Sequence, residues 1–242
     1  MSDLGKDGGL KRMLVPIVCT MTLLIPVAVW LISTHGPLAY FTHEVPPGQR
    51  FYILSKLCGL LALALFWLQC MTALARFAPA LRGFFSLSRR QHALLGVATF
   101  VLVFTHLGLF VAASSLRTGH LALPLLLPKF NQGFYSSFVS LGAIAFWILV
   151  AVVAAGIFRL RGHASWRWVH RASFVVFAIG FLHGIGIGSE TRFGLMKYIY
   201  AFIGLSLATA LGSWIWQALR ARMLGGRSSQ AGATINGAAD SN

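Results

Sequence analysis

Acidic residues are almost absent. The chain has five Asp and Glu in 242 residues, namely Asp3, Asp7, Glu44, Glu190 and Asp240, and none falls inside a long apolar run. Charged residues of both signs make up only 10% of the chain, against about 25% in an average soluble protein. That scarcity, with 57% hydrophobic residues and a mean hydropathy of +0.75, excludes a soluble globular domain, a disordered chain and a nucleic-acid-binding module. Cysteine is scarce too. Cys19, Cys58 and Cys70 lie in apolar runs with no CxxC, so neither a disulfide framework nor a zinc site is indicated. No G-x-G-x-x-G marks a nucleotide fold.

What is present is long apolar runs. A spanning helix needs about 20 mostly apolar residues. Six stretches qualify: Met13–Ser33, Phe51–Ala75, Gln91–Ala113, Phe134–Phe158, Trp168–Gly188 and Leu195–Gln217. The first follows Lys6, Lys11 and Arg12 and resembles a signal peptide. Its apolar run is longer than an h-region and no A-x-A site follows, so it is expected to be a retained span. The expected class is an all-α integral membrane protein, a six-helix bundle. Residues 1–12 form an N-terminal segment, 13–217 the membrane domain, and 218–242 a small, polar tail expected to lack fixed structure.

The net charge of +15 belongs to topology. Of the 20 Lys and Arg, 14 lie in the N-terminus, the second and fourth connections and the C-terminal tail, and six on the other side. The positive-inside rule then puts both termini in the cytoplasm, as expected for a bacterial inner-membrane protein.

The spans contain almost no carboxylates, which argues against a carboxylate proton relay. Histidine carries the chemistry. Four of the eight His lie in or at spans: His92 and His106, 14 residues apart in the third, and His170 and His183, 13 apart in the fifth. At 1.5 Å per residue each helix carries one histidine near the cytoplasm and one about 20 Å further out. A bis-imidazole haem takes one histidine from each of two facing helices. Pairing by depth gives His92 with His170 and His106 with His183, hence two stacked haems between the third and fifth spans. Without a CxxCH the haems are expected to be non-covalent, b-type. The competing reading is histidines that hydrogen-bond within a bundle. It accounts for one such residue more easily than for two pairs at matched depth. One detail fits poorly: on an ideal helix, 13 residues leave His183 about 140° round from His170. An irregular first turn at His170, or a deformation near Gly180, would reconcile the two.

These residues resemble the ferric reductase-like transmembrane domain. That superfamily includes eukaryotic ferric reductases, NADPH oxidases and the bacterial haem subunit of periplasmic methionine sulfoxide reductase. The oxidases and ferric reductases show H-x13-H on the third span and H-x12-H on the fifth, the spacings of His92/His106 and His170/His183. The stretches Leu95–His106 and Trp166–His183 are also similar to the bacterial subunit, which lacks a histidine at the place of His92. The resemblance covers about residues 13–217. It implies a cytochrome b passing electrons outward from the cytoplasm, most simply to ferric iron or a ferric chelate. Delivery to a periplasmic methionine sulfoxide reductase or similar redox protein is the alternative. The larger members continue into a flavin and nicotinamide domain. About 25 residues follow the last span here, so a cytoplasmic flavin reductase or another donor is the expected partner.

Secondary candidates surround the histidines. Arg89, Arg90, Arg167 and Arg171 flank the inner pair, either to pair haem propionates or simply as topology signals. Gly96 lets a porphyrin approach or lets helices pack. Gly180, Gly184 and Gly188 fit helix packing. Phe100, Phe104, Phe174, Phe177 and Phe181 fall at depths between the haems and are expected to be packing. His35, His43, His120 and His163 lie in connections and are expected to be solvated or interfacial. His120, with Arg117 and Lys129, is a candidate acceptor site for an anionic ferric chelate. A transporter or a non-redox scaffold is the reading from another class; it predicts a colourless protein.

Overall fold

A computed structural model describes residues 4–75, 77, 81, 84–85, 87–131, 133–158, 165–188 and 194–239, the side chains of 4–13, 165, 167, 221–222 and 224–239 excepted. Helix is the only extended regular structure among them. The helices are α1 (Leu4–Ser33), α2 (Ala39–Thr42), α3 (Gln49–Ala75), α4 (Arg89–Thr118), α5 (Phe134–Phe158), α6 (Ser165–Arg171), α7 (Ser173–Ile187) and α8 (Met196–Ala239). Six segments are long and apolar enough to cross a membrane: Leu14–Ser33, Gln49–Ala75, Arg89–Thr118, Phe134–Phe158, Trp168–Ile187 and Met196–Arg220. These are the six expected spans, and the protein is a multi-pass membrane protein. The last helix stays helical to Ala239, through the stretch expected to lack fixed structure; no proline interrupts it.

The centre of the bundle is α3. It buries Ile53, Ser55, Leu60 and a run from Leu65 to Leu68, among others, and α1, α4, α7 and α8 all pack on it. Two interhelical bonds fix its neighbours: Trp30 Nε1 donates to the Ile53 carbonyl at 3.0 Å, and Trp67 Nε1 to Ser206 Oγ at 3.0 Å. α4 is peripheral. Only Thr99 and Ala113 are buried on it, while Leu94, Val97, Val101 and Phe104 are more than half exposed. In water such a face would be unstable; in lipid it is ordinary surface.

Two packed pairs follow. α4 lies along α3, and α7 lies along α5, but α4 and α7 barely touch. A slot therefore runs between α4, which carries His92 and His106, and α7, which carries His183, with His170 on α6 just before α7. Its outer end is covered by the connection from α4 to α5. This connection forms a short 3₁₀ turn at Leu123–Leu126 and folds back against α5: the Leu126 carbonyl accepts from Trp147 Nε1 at 3.1 Å, and Ser140 Oγ accepts from the Lys129 amide at 2.6 Å. Trp147 is 13 residues into α5, so this connection reaches back along that helix.

Candidate functional site: two pairs of facing histidines

The structure brings His106 and His183 together with ring centroids 6.4 Å apart and planes at 80°. It brings His92 and His170 together at 6.2 Å and 76°. These are the pairs expected from depth.

The outer pair is held from behind. His106 Nδ1 lies 2.8 Å from the Ser55 carbonyl on α3, and buried Ser55 returns a bond from Oγ to the His106 carbonyl at 2.9 Å. His183 Nδ1 lies 2.7 Å from the Phe138 carbonyl on α5. A carbonyl only accepts, so Nδ1 carries the proton in both rings and Nε2 keeps its lone pair. Each ring also lies against a glycine of the helix behind it. A Cβ at Gly59 would stand 3.0 Å from His106 Nδ1, and one at Gly142 would stand 2.7 Å from His183 Cε1.

Beside the outer rings opens a cavity of about 210 Å³, with both His106 and His183 in its wall. Its floor is apolar, with Phe66, Val103, Phe146, Leu149 and Phe177 among the lining residues. Phe66 and Phe177 meet edge to face at 5.6 Å, below the outer pair. Phe177 and Phe181 stack at 6.0 Å and Phe181 continues to Tyr200 at 5.2 Å. Tyr52, Lys56 and Tyr135 also line the cavity. Among the described lining residues Lys56 is the one Lys or Arg, and no carboxylate appears. Lys56 Nζ lies over the Tyr52 ring at 4.9 Å. Gly180 also lines the cavity, and a Cβ there would meet no other atom within 4 Å.

The inner pair joins the first turn of α4 to the last turn of α6. α4 starts with a capping box: Ser88 Oγ accepts from the Gln91 amide, and Gln91 Oε1 accepts from the Ser88 amide. That arrangement satisfies two end donors and starts the helix just before His92. Gln69 Nε2 on α3 donates to the His92 carbonyl at 3.3 Å. His170 lies on α6, beside Trp166 at 6.1 Å. The fifth span is broken at Ala172, whose amide is shared between the carbonyls of Trp168 at 3.2 Å and Val169 at 3.0 Å. The i→i−3 bond tightens that turn, so His170 and His183 lie on two helical segments, not one ideal helix. The irregularity falls at the start of the span, one of the two places where the sequence allowed for one.

The secondary candidates disperse. Arg89, Arg90 and Arg171 are exposed, and Arg171 lies over the Trp168 ring at 4.9 Å. The Arg167 side chain, His163 and Glu190 lie outside the described residues. Gly96 faces α3, where a Cβ would meet Gln69 Nε2. Gly184 faces Tyr200 in the same way, a close approach of α7 and α8. Arg117 donates to Gln49 Oε1 at 3.2 Å and lies over Tyr52 at 5.6 Å. His43 and His120 are exposed.

Sequence reasoning missed Ser55, Gly59, Phe138, Gly142, Lys56 and Phe66. Nothing marks a backbone carbonyl in a sequence, and a glycine in an apolar run reads as helix packing.

Among the described residues no three His, Cys, Asp or Glu converge on one point. The chain matches no family model, no curated protein and no solved structure.

Proposed function

We propose that this protein is a transmembrane b-type cytochrome, carrying electrons from a cytoplasmic donor to an acceptor on the outer face through two bis-histidine haems. The observation that carries the reading is the spacing of the two imidazole pairs. Two axial imidazoles on one metal use two metal–nitrogen bonds of about 2.0 Å. Each ring adds about 1.2 Å from nitrogen to ring centre, the radius of a five-membered ring with bonds near 1.35 Å. Their centres then stand about 6.4 Å apart, against 6.4 and 6.2 Å in this chain.

The surroundings fit the same group. A macrocycle that brings four nitrogens of its own needs two protein ligands per metal, which suits pairs rather than clusters of three. The open space beside Gly180 and the slot between α4 and α7 suit a flat apolar body. Lys56, with Tyr52 and Tyr135, suits its anionic edge. When bound, haem supplies one-electron chemistry; the residues of the chain do the rest. His106 with His183, and His92 with His170, would each hold one haem iron from both sides, which would leave no position for oxygen. Ser55 and Phe138 hold the Nδ1 protons away from the metal side. Phe66 and Phe177 fill the depth between the two sites and exclude water, which keeps the path at low dielectric.

The acceptor that this reading favours is ferric iron or a ferric chelate, one electron reducing one Fe(III) to Fe(II). A periplasmic redox protein is the alternative. The donor is a cytoplasmic flavoprotein or reduced flavin, with both termini on that side. The test is an anaerobic reduction of the purified protein followed by a panel of acceptors. Dithionite-reduced protein should show the α and β bands of a six-coordinate low-spin b haem, and ferric chelate should reoxidise it. A colourless protein purified from haem-replete cells would overturn the proposal in favour of a transporter or scaffold.

A further inference from the structure

We propose that Gly59 and Gly142 are positioning residues that set the redox potential of the outer haem by uncovering the carbonyls of Ser55 and Phe138. The proposal rests on the reading of His106 and His183 as axial ligands.

The outer ligands are seated by the same device on two different helices. In an α-helix a side chain leans back over the turn that precedes it, so the residue at i+4 covers the carbonyl at i. The Ser55 carbonyl accepts a hydrogen bond from His106 Nδ1–H, and the residue four further on is Gly59. The Phe138 carbonyl accepts a hydrogen bond from His183 Nδ1–H, and four further on stands Gly142. For both glycines the three nearest atoms to an added Cβ belong to the histidine ring. At Gly59 they are Nδ1 at 3.0 Å, Cε1 at 3.1 Å and Cγ at 3.5 Å; at Gly142 they are Cε1 at 2.7 Å, Nδ1 at 2.8 Å and Nε2 at 3.3 Å. Other glycines in the spans differ. A Cβ at Gly184 or Gly186 would run into Tyr200 or Phe138, and at Gly108 or Gly156 it would meet nothing. Gly59 and Gly142 therefore serve the rings rather than helix–helix contact in general.

The consequence is electronic as well as steric. A hydrogen bond from Nδ1–H to a carbonyl fixes the tautomer and the ring orientation and raises the basicity of the ligating nitrogen. A more basic pair of ligands stabilises the oxidised metal and lowers its potential. A methyl group at either glycine pushes the ring off its carbonyl and weakens that effect.

The experiment compares purified holoprotein carrying Gly59→Ala, Gly142→Ala, Gly108→Ala or Gly156→Ala with the wild type. Each is measured by haem assay, potentiometric titration and the low-spin EPR signal. In Gly59→Ala and in Gly142→Ala the outer haem should shift to higher potential with an altered EPR signal, or be lost. The inner haem should stay at its wild-type potential, which also reports that the protein is folded. Gly108→Ala and Gly156→Ala should match the wild type. An unchanged outer potential and EPR signal in both Gly59→Ala and Gly142→Ala would overturn the inference while leaving the cytochrome reading in place. Absence of haem from the wild type would overturn the cytochrome reading itself. Should both variants lose the inner haem as well, NMR of the wild-type protein decides. Hyperfine-shifted Nδ1 protons of the outer ligands that persist in D2O support the device, and rapid exchange overturns it.

Discussion

His106 and His183 face one another across 6.4 Å, and each donates a hydrogen bond from Nδ1–H to a backbone carbonyl of a different helix, Ser55 on α3 and Phe138 on α5. The two rings are thus aimed from behind by helices that carry none of the four histidines. Because α4 rests on α3 and α7 on α5, the slot between them stays open while each ring is fixed to its own support.

With two such pairs, the purified protein should contain two non-covalent b haems per chain. A pyridine haemochromogen assay against protein concentration checks this. A ratio of one would remove one pair from the ligand set.

Replacement of either member of a pair should have the same result. His106→Ala and His183→Ala should each abolish the same outer haem and leave the inner one titrating normally; His92→Ala and His170→Ala should do the reverse. Redox titration of the four variants reads this directly. Depletion of different haems by His106→Ala and His183→Ala would break the pairing.

Lys56 is a positive charge in the wall of the outer cavity. A nearby cation stabilises the reduced, less positive metal, so Lys56→Met should lower the midpoint potential of the outer haem and leave the inner one unchanged. The sign is opposite to that expected for Gly59→Ala, which separates charge from ligand basicity in one set of titrations. A rise, or an equal fall at both haems, would count against this placing of the charge.

The purified chain should not oxidise NAD(P)H. In sealed vesicles with reduced flavin on the side of the N-terminus, electrons should reach an impermeant ferric chelate on the other side. Rapid NAD(P)H oxidation without any flavoprotein, or fast chelate reduction by the His106→Ala protein, would refute the route.

The bond between Trp67 and Ser206 ties α8 to the centre of the bundle. Ser206→Ala should cost about 0.6 kcal/mol, the average for interhelical hydrogen bonds in membranes, with haem content unchanged. Unfolding in mixed micelles measures the first and absorbance the second.

The sequence by itself determined the six spans and the pairing of the histidines. Both depend on one-dimensional quantities: a run of about 20 apolar residues is long enough to cross the bilayer, and residues at equal depth on two neighbouring spans lie at equal height. It also showed that His170 and His183 could not share a face of an ideal helix, and the irregular turn at Ala172 lies between the two residues. The tertiary structure decided what stands behind the rings. Which carbonyl accepts the histidine N–H depends on which helix packs on which, and on whether the residue four positions on has a side chain. Apolar composition leaves that choice open, since in lipid a leucine gains about as much against a tail as against a neighbour. The arginines around the inner pair show the same limit: their positions in the sequence mark a side of the membrane, but only packing turns a side chain toward a site, and Arg89, Arg90 and Arg171 remain exposed.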